Sequence, residues 1–407
     1  MIKSLGPSYS SPAPFMISIP ETVLDRIRLQ VAEYPWVDMP DAGGWAAGTA
    51  YTCMRDLARY WLDSYDWRAA EARLNRLPQF QATIDGLTLH FVHVKGSGKN
   101  RPPLLLCHGW PGSFFEFDEL VERLAFPENY GGNSDDSFDV IVPSMPGYGF
   151  SDRPASPMGP RAMAELYQIL LTKVLGYSSY IAQGGDWGAH VAAWLGYLHP
   201  QSCRAVHLNL VGVRNPEMQA PKTDEEYAWA ENFARLFHAE GSYFLLQTTK
   251  PQTLSFAMTD SPVGIAAWII EKFAAWADVS RNDDGSPNLR AKFTENQLLT
   301  NIMLYLVTKS FGTSTWIYKG CALEQPAHID PGAGIPAQME PGTRIEVPTG
   351  VAAFPDPVFP PPPRSLAERG YNIVHWTDMP CGGHFAAMEE PVAFVDDLRA
   401  FAKSIRP

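Results

Sequence analysis

The spacing of apolar residues changes period along the chain. Over residues 21–78 it is helical. Pro20-Glu21-Thr22 is a helix-start signal, and Val23, Leu24, Ile27, Leu29 and Val31 follow at near-helical intervals. Residues 54–65 and 67–77 predict two further helices, and a Gly/Ala-rich turn at 41–49 separates them from the first. Residues 1–20 are polar and Pro-rich and read as a mobile or wrapping tail. From Phe80 the period becomes two. Gln81-Ala82-Thr83-Ile84 leads into Asp85-Gly86, a hairpin turn signal, and 87–94 reads as the partner strand.

Short apolar runs at 103–107, 138–142 and 180–183 then alternate with helical patterns. That alternation predicts an α/β fold with a mostly parallel central sheet and helices on both faces. It breaks after Leu208-Asn209-Leu210. Residues 224–312 are helix-like and rich in aromatics, as expected of a helical insertion over the sheet. Strand patterns return at 344–347 and 371–376, Pro360–363 reads as a stiff extended linker, and 388–405 as the last helix. The expected organisation is an N-terminal helical segment (1–79), a first half of the sheet domain (80–213), a helical cap (214–315) and a second half of the sheet domain (316–407).

Composition narrows the functional classes. The 407 residues are 45% hydrophobic and 19% charged, below the usual ~25% charged, so the chain has material for a large core. A net charge of -12 repels phosphate backbones and excludes nucleic acid as an expected partner. The five cysteines are widely spaced without a CxxC pair, so neither a zinc site nor a disulfide framework is predicted, and free thiols in a reducing compartment are expected. The N-terminus lacks the ~7–15-residue apolar stretch of a signal peptide, and no run approaches the ~20 residues of a membrane span. The expected location is the cytosol without a membrane anchor, and a homodimer is left open.

Gly184-Gly185-Asp186-Trp187-Gly188 carries the strongest chemical signal. A Gly-x-nucleophile-x-Gly pattern between strand and helix marks a sharp turn that lifts the central side chain out of the sheet. Here the centre is Asp186. A serine that attacked an alkyl carbon would form an ether, which water does not readily cleave. A carboxylate forms an ester, which a histidine-activated water can hydrolyse, so Asp186 suits epoxides or haloalkanes. A helix-capping Asp in a Gly-rich turn is the alternative reading of the same five residues.

His108-Gly109-Trp110-Pro111-Gly112 follows the strand at 103–107, where such folds place a second oxyanion donor; the expected donors are the N–H groups of Trp110 and Trp187. Of ten histidines, His384 in Gly382-Gly383-His384-Phe385 has the position of a general base, on a loop before the last helix. His108 is expected to brace the oxyanion loop and His190 to be core or surface. The acid that orients His384 is expected in Phe354-Pro355-Asp356-Pro357, at Asp356, although that carboxylate could instead simply cap a Pro-rich turn.

With these motifs the chain resembles the epoxide hydrolases related to the microsomal enzyme, of the α/β-hydrolase fold, over nearly its whole length. The resemblance rests on Trp67-Arg68 through Pro78-Gln79-Phe80, His108 to Ser113, Gly184 to Gly188, Gly383-His384-Phe385-Ala386-Ala387 with Glu389-Glu390-Pro391, and the cap segments Thr249-Lys250-Pro251, Asp260 to Gly264 and Glu271-Lys272-Phe273. It implies two cap tyrosines that donate to the epoxide oxygen, falling on Tyr243 and Tyr318, with Tyr305 the rival for the second role. It implies no cofactor, no metal and a small apolar epoxide as substrate. One feature departs from the family: its acid comes two residues after Phe-Pro, where this chain has Pro357, so either Asp356 or another acid such as Glu346 serves. A haloalkane dehalogenase with the same Asp and His, and a non-catalytic binding protein that has lost its acid, are the competing expectations.

Overall fold

The computed structural model describes residues 7–37, 44–324 and 338–406. The first six residues of the expected tail and residues 41–43 of the expected turn lie outside them. Among the described residues nine strands form one sheet: β1 Ala13–Phe15, β2 Gln79–Ile84, β3 Leu87–Val94, β4 Pro103–Cys107, β5 Asp139–Pro143, β6 Tyr180–Gly184, β7 Cys203–Leu208, β8 Ile345–Ala353 and β9 Tyr371–Asp378. Their order is β1-β2-β3-β5-β4-β6-β7-β8-β9. The first three strands run antiparallel to their neighbours, and every pairing from β5 to β9 is parallel.

The central strands are continuous apolar runs, as a sheet covered on both faces requires. Leu104, Leu105 and Leu106 on β4 and Val140, Ile141 and Val142 on β5 are fully buried. The N-terminal helices α1 Glu21–Ala32, α2 Tyr51–Asp63 and α3 Trp67–Leu74 pack on the cap, and the sheet is flanked by α4 Asp118–Ala125, α5 Pro160–Ile169 and α6 Asp186–Leu198, with α14 Arg364–Ala367, α15 Ala386–Glu389 and α16 Pro391–Ser404 near the C-terminus. Between β7 and β8 lie the cap helices α7 Asp224–Glu240, α8 Ser242–Thr249, α9 Pro251–Met258, α10 Pro262–Trp276, α11 Glu295–Val307, α12 Phe311–Ser314 and α13 Trp316–Leu323. The helical run therefore continues past residue 315.

The structure departs from the sequence pattern in places that have a physical cause. The tail is not free: Ala13–Phe15 adds an edge strand to β2, and the backbone N–H groups of Ile17 and Ile19 donate to Asn75 and Glu71 at 2.9 and 2.7 Å. Three residues are too few to show a period. The strand expected at 344–347 runs on to Ala353, because the sheet absorbs Pro348 with a shift of register beside it. The last helix is broken at Pro391, which lacks the N–H needed to continue α15. The Asp85-Gly86 turn has both residues at positive φ, 48° and 83°, as the hairpin signal requires.

Candidate active site

The nucleophile turn joins β6 to α6. Asp186 sits at φ +47°, a left-handed conformation that non-glycine residues rarely adopt, so the turn holds it under strain. Its neighbours are glycine because the chain passes too close for a side chain. A Cβ on Gly184 would lie 2.1 Å from the Gly188 carbonyl oxygen, and one on Gly188 would lie 1.9 Å from that of Cys107. The Asp186 carboxylate rises above the C-terminal end of the parallel strands. Its Oδ1 accepts the Trp110 N–H at 2.7 Å. Trp187 N–H makes no such bond to it, but lies in the first turn of α6, where backbone donors have no helical partner. His108 fixes the opposite loop: its two ring nitrogens meet the Gly109 carbonyl at 3.0 Å and the Met145 N–H at 3.1 Å. Burial keeps it neutral, with a pKa drawn down to about 4.

His384 lies between two carboxylates. Its Nδ1 is 2.7 Å from Asp356 Oδ2, and its Nε2 is 3.4 Å from Asp186 Oδ2. Asp356 is itself held by a tight turn, since its Oδ1 accepts the N–H groups of Val358 and Phe359, both at 2.8 Å. Glu346 is on β8 with its side chain exposed, 3.7 Å from Arg344, so the acid beside the histidine is Asp356. The imidazole is enclosed. Burial lowers its pKa, but the charge of Asp356, the hydrogen bond to it and the nearby charge of Asp186 outweigh this and hold it up at about 10. In the free protein His384 is therefore a cation at neutral pH, set between the Asp356 and Asp186 carboxyl groups.

The histidine loop is tied to the cap. His384 N–H donates to the Trp276 carbonyl at 3.0 Å. Glu389 accepts three backbone N–H groups, from Asp278 (2.7 Å), Gly383 (2.9 Å) and Phe385 (2.9 Å). One side chain thus binds the loop after α10 to both sides of His384. Glu389 belongs to the quoted C-terminal motif, but nothing in the sequence gave it this role.

Tyr243, on α8, and Tyr318, on α13, line the same pocket as Asp186. Tyr243 stacks on Trp110 with ring centroids 5.5 Å apart, and Tyr318 meets the Trp187 ring edge-on at 4.8 Å. Burial, reinforced by Asp186, pushes the Tyr243 phenol well above its ordinary pKa; for Tyr318 burial leads and Tyr243 and Asp186 add to it. Both stay protonated as donors. The Tyr318 hydroxyl is buried with no hydrogen-bond partner among the described residues. Tyr305, the rival, is already engaged: its hydroxyl donates to the Gly112 carbonyl.

Two further residues at the site gave no signal in the sequence. Trp276 is fully buried, with ring centroids 4.7 Å from His384 and 5.1 Å from Tyr243, and looked like one more apolar helix residue. Glu116 brings its carboxyl against Gly112, where a Cβ would lie 1.2 Å from Oε1. With Asp186 and His384 it lines a cavity of about 10 Å³. Burial and the Asp186 charge push its pKa up to about 8 against the pull of His384. It lies outside any catalytic motif, in a Phe-rich stretch that reads as core.

Two family models match the chain: Epoxide hydrolase N terminus over residues 12–117, and alpha/beta hydrolase fold over residues 102–257. Epoxide hydrolase 1 of Sus scrofa is 32% identical, over 95% of this chain and 88% of its own length. Juvenile hormone epoxide hydrolase 2 of Ctenocephalides felis is 34% identical, over 97% and 86%. The structure of the Aspergillus niger epoxide hydrolase superposes with a TM-score of 0.80 at 30% identity, covering 98% of this chain and 97% of that one.

Proposed function

The chain belongs to the epoxide hydrolase family, and from that premise we propose that it opens its substrate by a covalent route, with Asp186 as nucleophile and His384 as the base that releases the diol. The observation that carries this reading is the division between the two oxygens of Asp186. Oδ1 is engaged by the Trp110 N–H at 2.7 Å, whereas Oδ2 accepts no hydrogen bond among the described residues and lies 3.4 Å from His384 Nε2.

In the first step Oδ2 attacks an epoxide carbon and the ring C–O bond breaks. The ring electrons pass to oxygen, where the hydroxyls of Tyr243 and Tyr318 offset the developing alkoxide charge and supply its proton. A hydroxyalkyl ester remains on Asp186. Its formation removes one of the two negative charges that hold His384 protonated, so the imidazole pKa falls; its proton passes to the tyrosinate left by ring opening, which restores the phenol and leaves His384 neutral, as a base. In the second step His384, steadied by Asp356, takes a proton from water, and the hydroxide attacks the ester carbonyl. The N–H groups of Trp110 and Trp187 receive the oxyanion. The ester C–O bond then breaks, the departing alkoxide takes the proton of the Asp186 carboxyl to complete the diol, and the enzyme returns to Asp186 carboxylate beside protonated His384.

The pocket is narrow, with a cavity volume of about 60 Å³, and apolar side chains including Leu210, Val211, Phe233 and Phe244 wall it. That lining supports an epoxide with an apolar body. The two phenols also favour an oxygen leaving atom over a halide, which takes up no proton. The deciding experiment is a single turnover of an apolar epoxide in heavy-oxygen water with enzyme in excess. Label in the peptide containing Asp186 is expected. Label found in the diol but none at Asp186 would rule out the covalent route.

A further inference from the structure

The pocket that holds Asp186 is not apolar throughout. Arg214 lines it as well, on the segment that leaves β7 for the cap. Its guanidinium lies over the rings of Trp229 and Phe233, 5.5 and 5.1 Å from their centroids. Both rings belong to α7, and Trp229 is itself anchored, its indole N–H donating to the Pro360 carbonyl at 3.0 Å. The backbone at Arg214 is equally fixed. Its carbonyl accepts from Gln338 and Met339 at 2.8 and 3.1 Å, and the Asn215 side chain bridges the Thr343 and Arg369 carbonyls.

Among the described residues the guanidinium has no anion beside it. No carboxylate or hydrogen-bond acceptor among the described residues pairs with it, whereas Arg369, whose carbonyl shares the Asn215 side chain, is paired with both oxygens of Glu226 at 2.6 Å. Burial lowers the pKa of Arg214, but only to about 10, so it remains a cation. The ionisable groups beside it do not compensate: the Tyr371 phenol is kept protonated by burial and donates to the Val213 carbonyl, and His190 is neutral, its pKa drawn down to about 4 chiefly by burial. The side chain is only partly buried, so its donors remain open to an anion that enters the pocket. Guanidinium suits a carboxylate in particular, because its planar fork of donors matches the two oxygens.

We propose that Arg214 is a specificity-determining residue that receives the carboxylate of the substrate, so that the preferred substrates are epoxides with an anionic end separated from the ring by an apolar spacer. This rests on the epoxide hydrolase reading and deepens it. The spacer lies along Phe233, Phe244 and Leu210 while Asp186, Tyr243 and Tyr318 hold the epoxide at the other end. The aromatic faces of Trp229 and Phe233 keep the guanidinium plane set for the incoming anion and limit the ordering cost of binding.

The test uses terminal-epoxide alkanoates of increasing chain length, each paired with its methyl ester, with diol formation measured for the whole enzyme. A buried charge-assisted contact of this kind corresponds to roughly a ten- to hundredfold preference in kcat/KM for the acid over its ester, expressed mainly in KM, at the chain length that spans the pocket. In Arg214→Gln the acid-to-ester ratio should fall to one or below. In Arg214→Lys, which keeps the charge and loses the fork, it should be intermediate. The ratio is insensitive to damage that affects both substrates alike. Should Arg214→Gln not fold, competitive inhibition of wild type by simple alkanoates, weakened in Arg214→Lys, gives the same information. A wild-type ratio near one at every chain length, or a ratio unchanged by the substitutions, overturns the proposal. Absence of diol from acids and esters alike would instead overturn the epoxide hydrolase reading beneath it.

Discussion

Asp356 Oδ2 lies 2.7 Å from His384 Nδ1, although the family motif would place the acid one residue later, at Pro357. The turn makes up the difference. By accepting the N–H groups of Val358 and Phe359, Asp356 Oδ1 curls the chain back on itself and aims Oδ2 at the imidazole. In Asp356→Asn the amide can keep part of this turn but not the charge, so the imidazolium that forms during ester hydrolysis loses its counter-ion. Ester hydrolysis should slow by roughly a hundred- to ten-thousandfold while ester formation falls much less, so that the alkylated enzyme accumulates. Intact-protein mass spectrometry after mixing with substrate reads this directly. An Asp356→Asn enzyme that turns over normally without accumulating ester would remove Asp356 from the mechanism.

The position of His384 between two carboxylates predicts a distinctive pH dependence. Its pKa of about 10 in the free protein lies above the ordinary 6.5, so the ion pair contributes stability in full below about 6.5 and loses it as the pH rises through about 10. Once Asp186 is esterified only Asp356 still faces the ring. The base that acts in ester hydrolysis must therefore titrate below the value in the free enzyme, and the hydrolysis rate should rise with pH and level off at a pH where the free enzyme still holds His384 protonated. Stopped-flow decay of the ester across the pH range, set against an NMR titration of His384 in unreacted protein, makes the comparison. Equal apparent pKa values in the two states would contradict the switch.

The two tyrosine candidates for the second donor are separable by mutation. Tyr318 has a buried hydroxyl without a partner, whereas the Tyr305 hydroxyl is spent on the Gly112 carbonyl. Tyr318→Phe should slow ester formation by roughly a hundred- to a thousandfold, the range seen for loss of one oxyanion donor, and leave melting temperature nearly unchanged. Tyr305→Phe should do the reverse, costing about 1 kcal/mol of stability through the freed carbonyl with little effect on ester formation. A Tyr305→Phe enzyme with the larger alkylation defect would exchange the two assignments.

The legible part of this protein in its sequence was the part under local constraint. The turn around Asp186 could be read because Gly184 and Gly188 have no alternative at contacts of about 2 Å. The hairpin could be read because Asp85 and Gly86 both need positive φ. The parallel sheet followed from apolar runs that only a doubly covered strand tolerates. Residues whose role depends on distant partners were not legible. Glu389 reaches across to Asp278, Trp276 faces His384 from another element, and Arg214 enters the pocket over rings of a distant helix. Leu29 shows the same limit at a surface: it fits the helical period of α1, yet it is 55% exposed, because Ile27 and Val31 define the buried face.

Glu116 offers the last test, and it concerns the water of the second step. Its carboxyl, Asp186 and His384 enclose a cavity of about 10 Å³, close to the ~10–15 Å³ that one water needs. A pKa of about 8 leaves Glu116 mostly protonated at neutral pH, so it can both donate to and accept from a water without adding a third anion beside His384. Glutamine preserves that shape and neutrality; alanine removes the partner and enlarges the space. Glu116→Gln should therefore keep ester hydrolysis within about threefold of wild type, whereas Glu116→Ala should slow it by roughly ten- to a hundredfold, with ester formation the less affected step in both. Single-turnover measurement of the two steps distinguishes this from a packing role, in which the alanine variant would lose stability and both steps would fall together. The sign of the argument depends on neutrality: a Glu116→Gln enzyme as slow in ester hydrolysis as Glu116→Ala would mean that the ionised carboxylate is the working form.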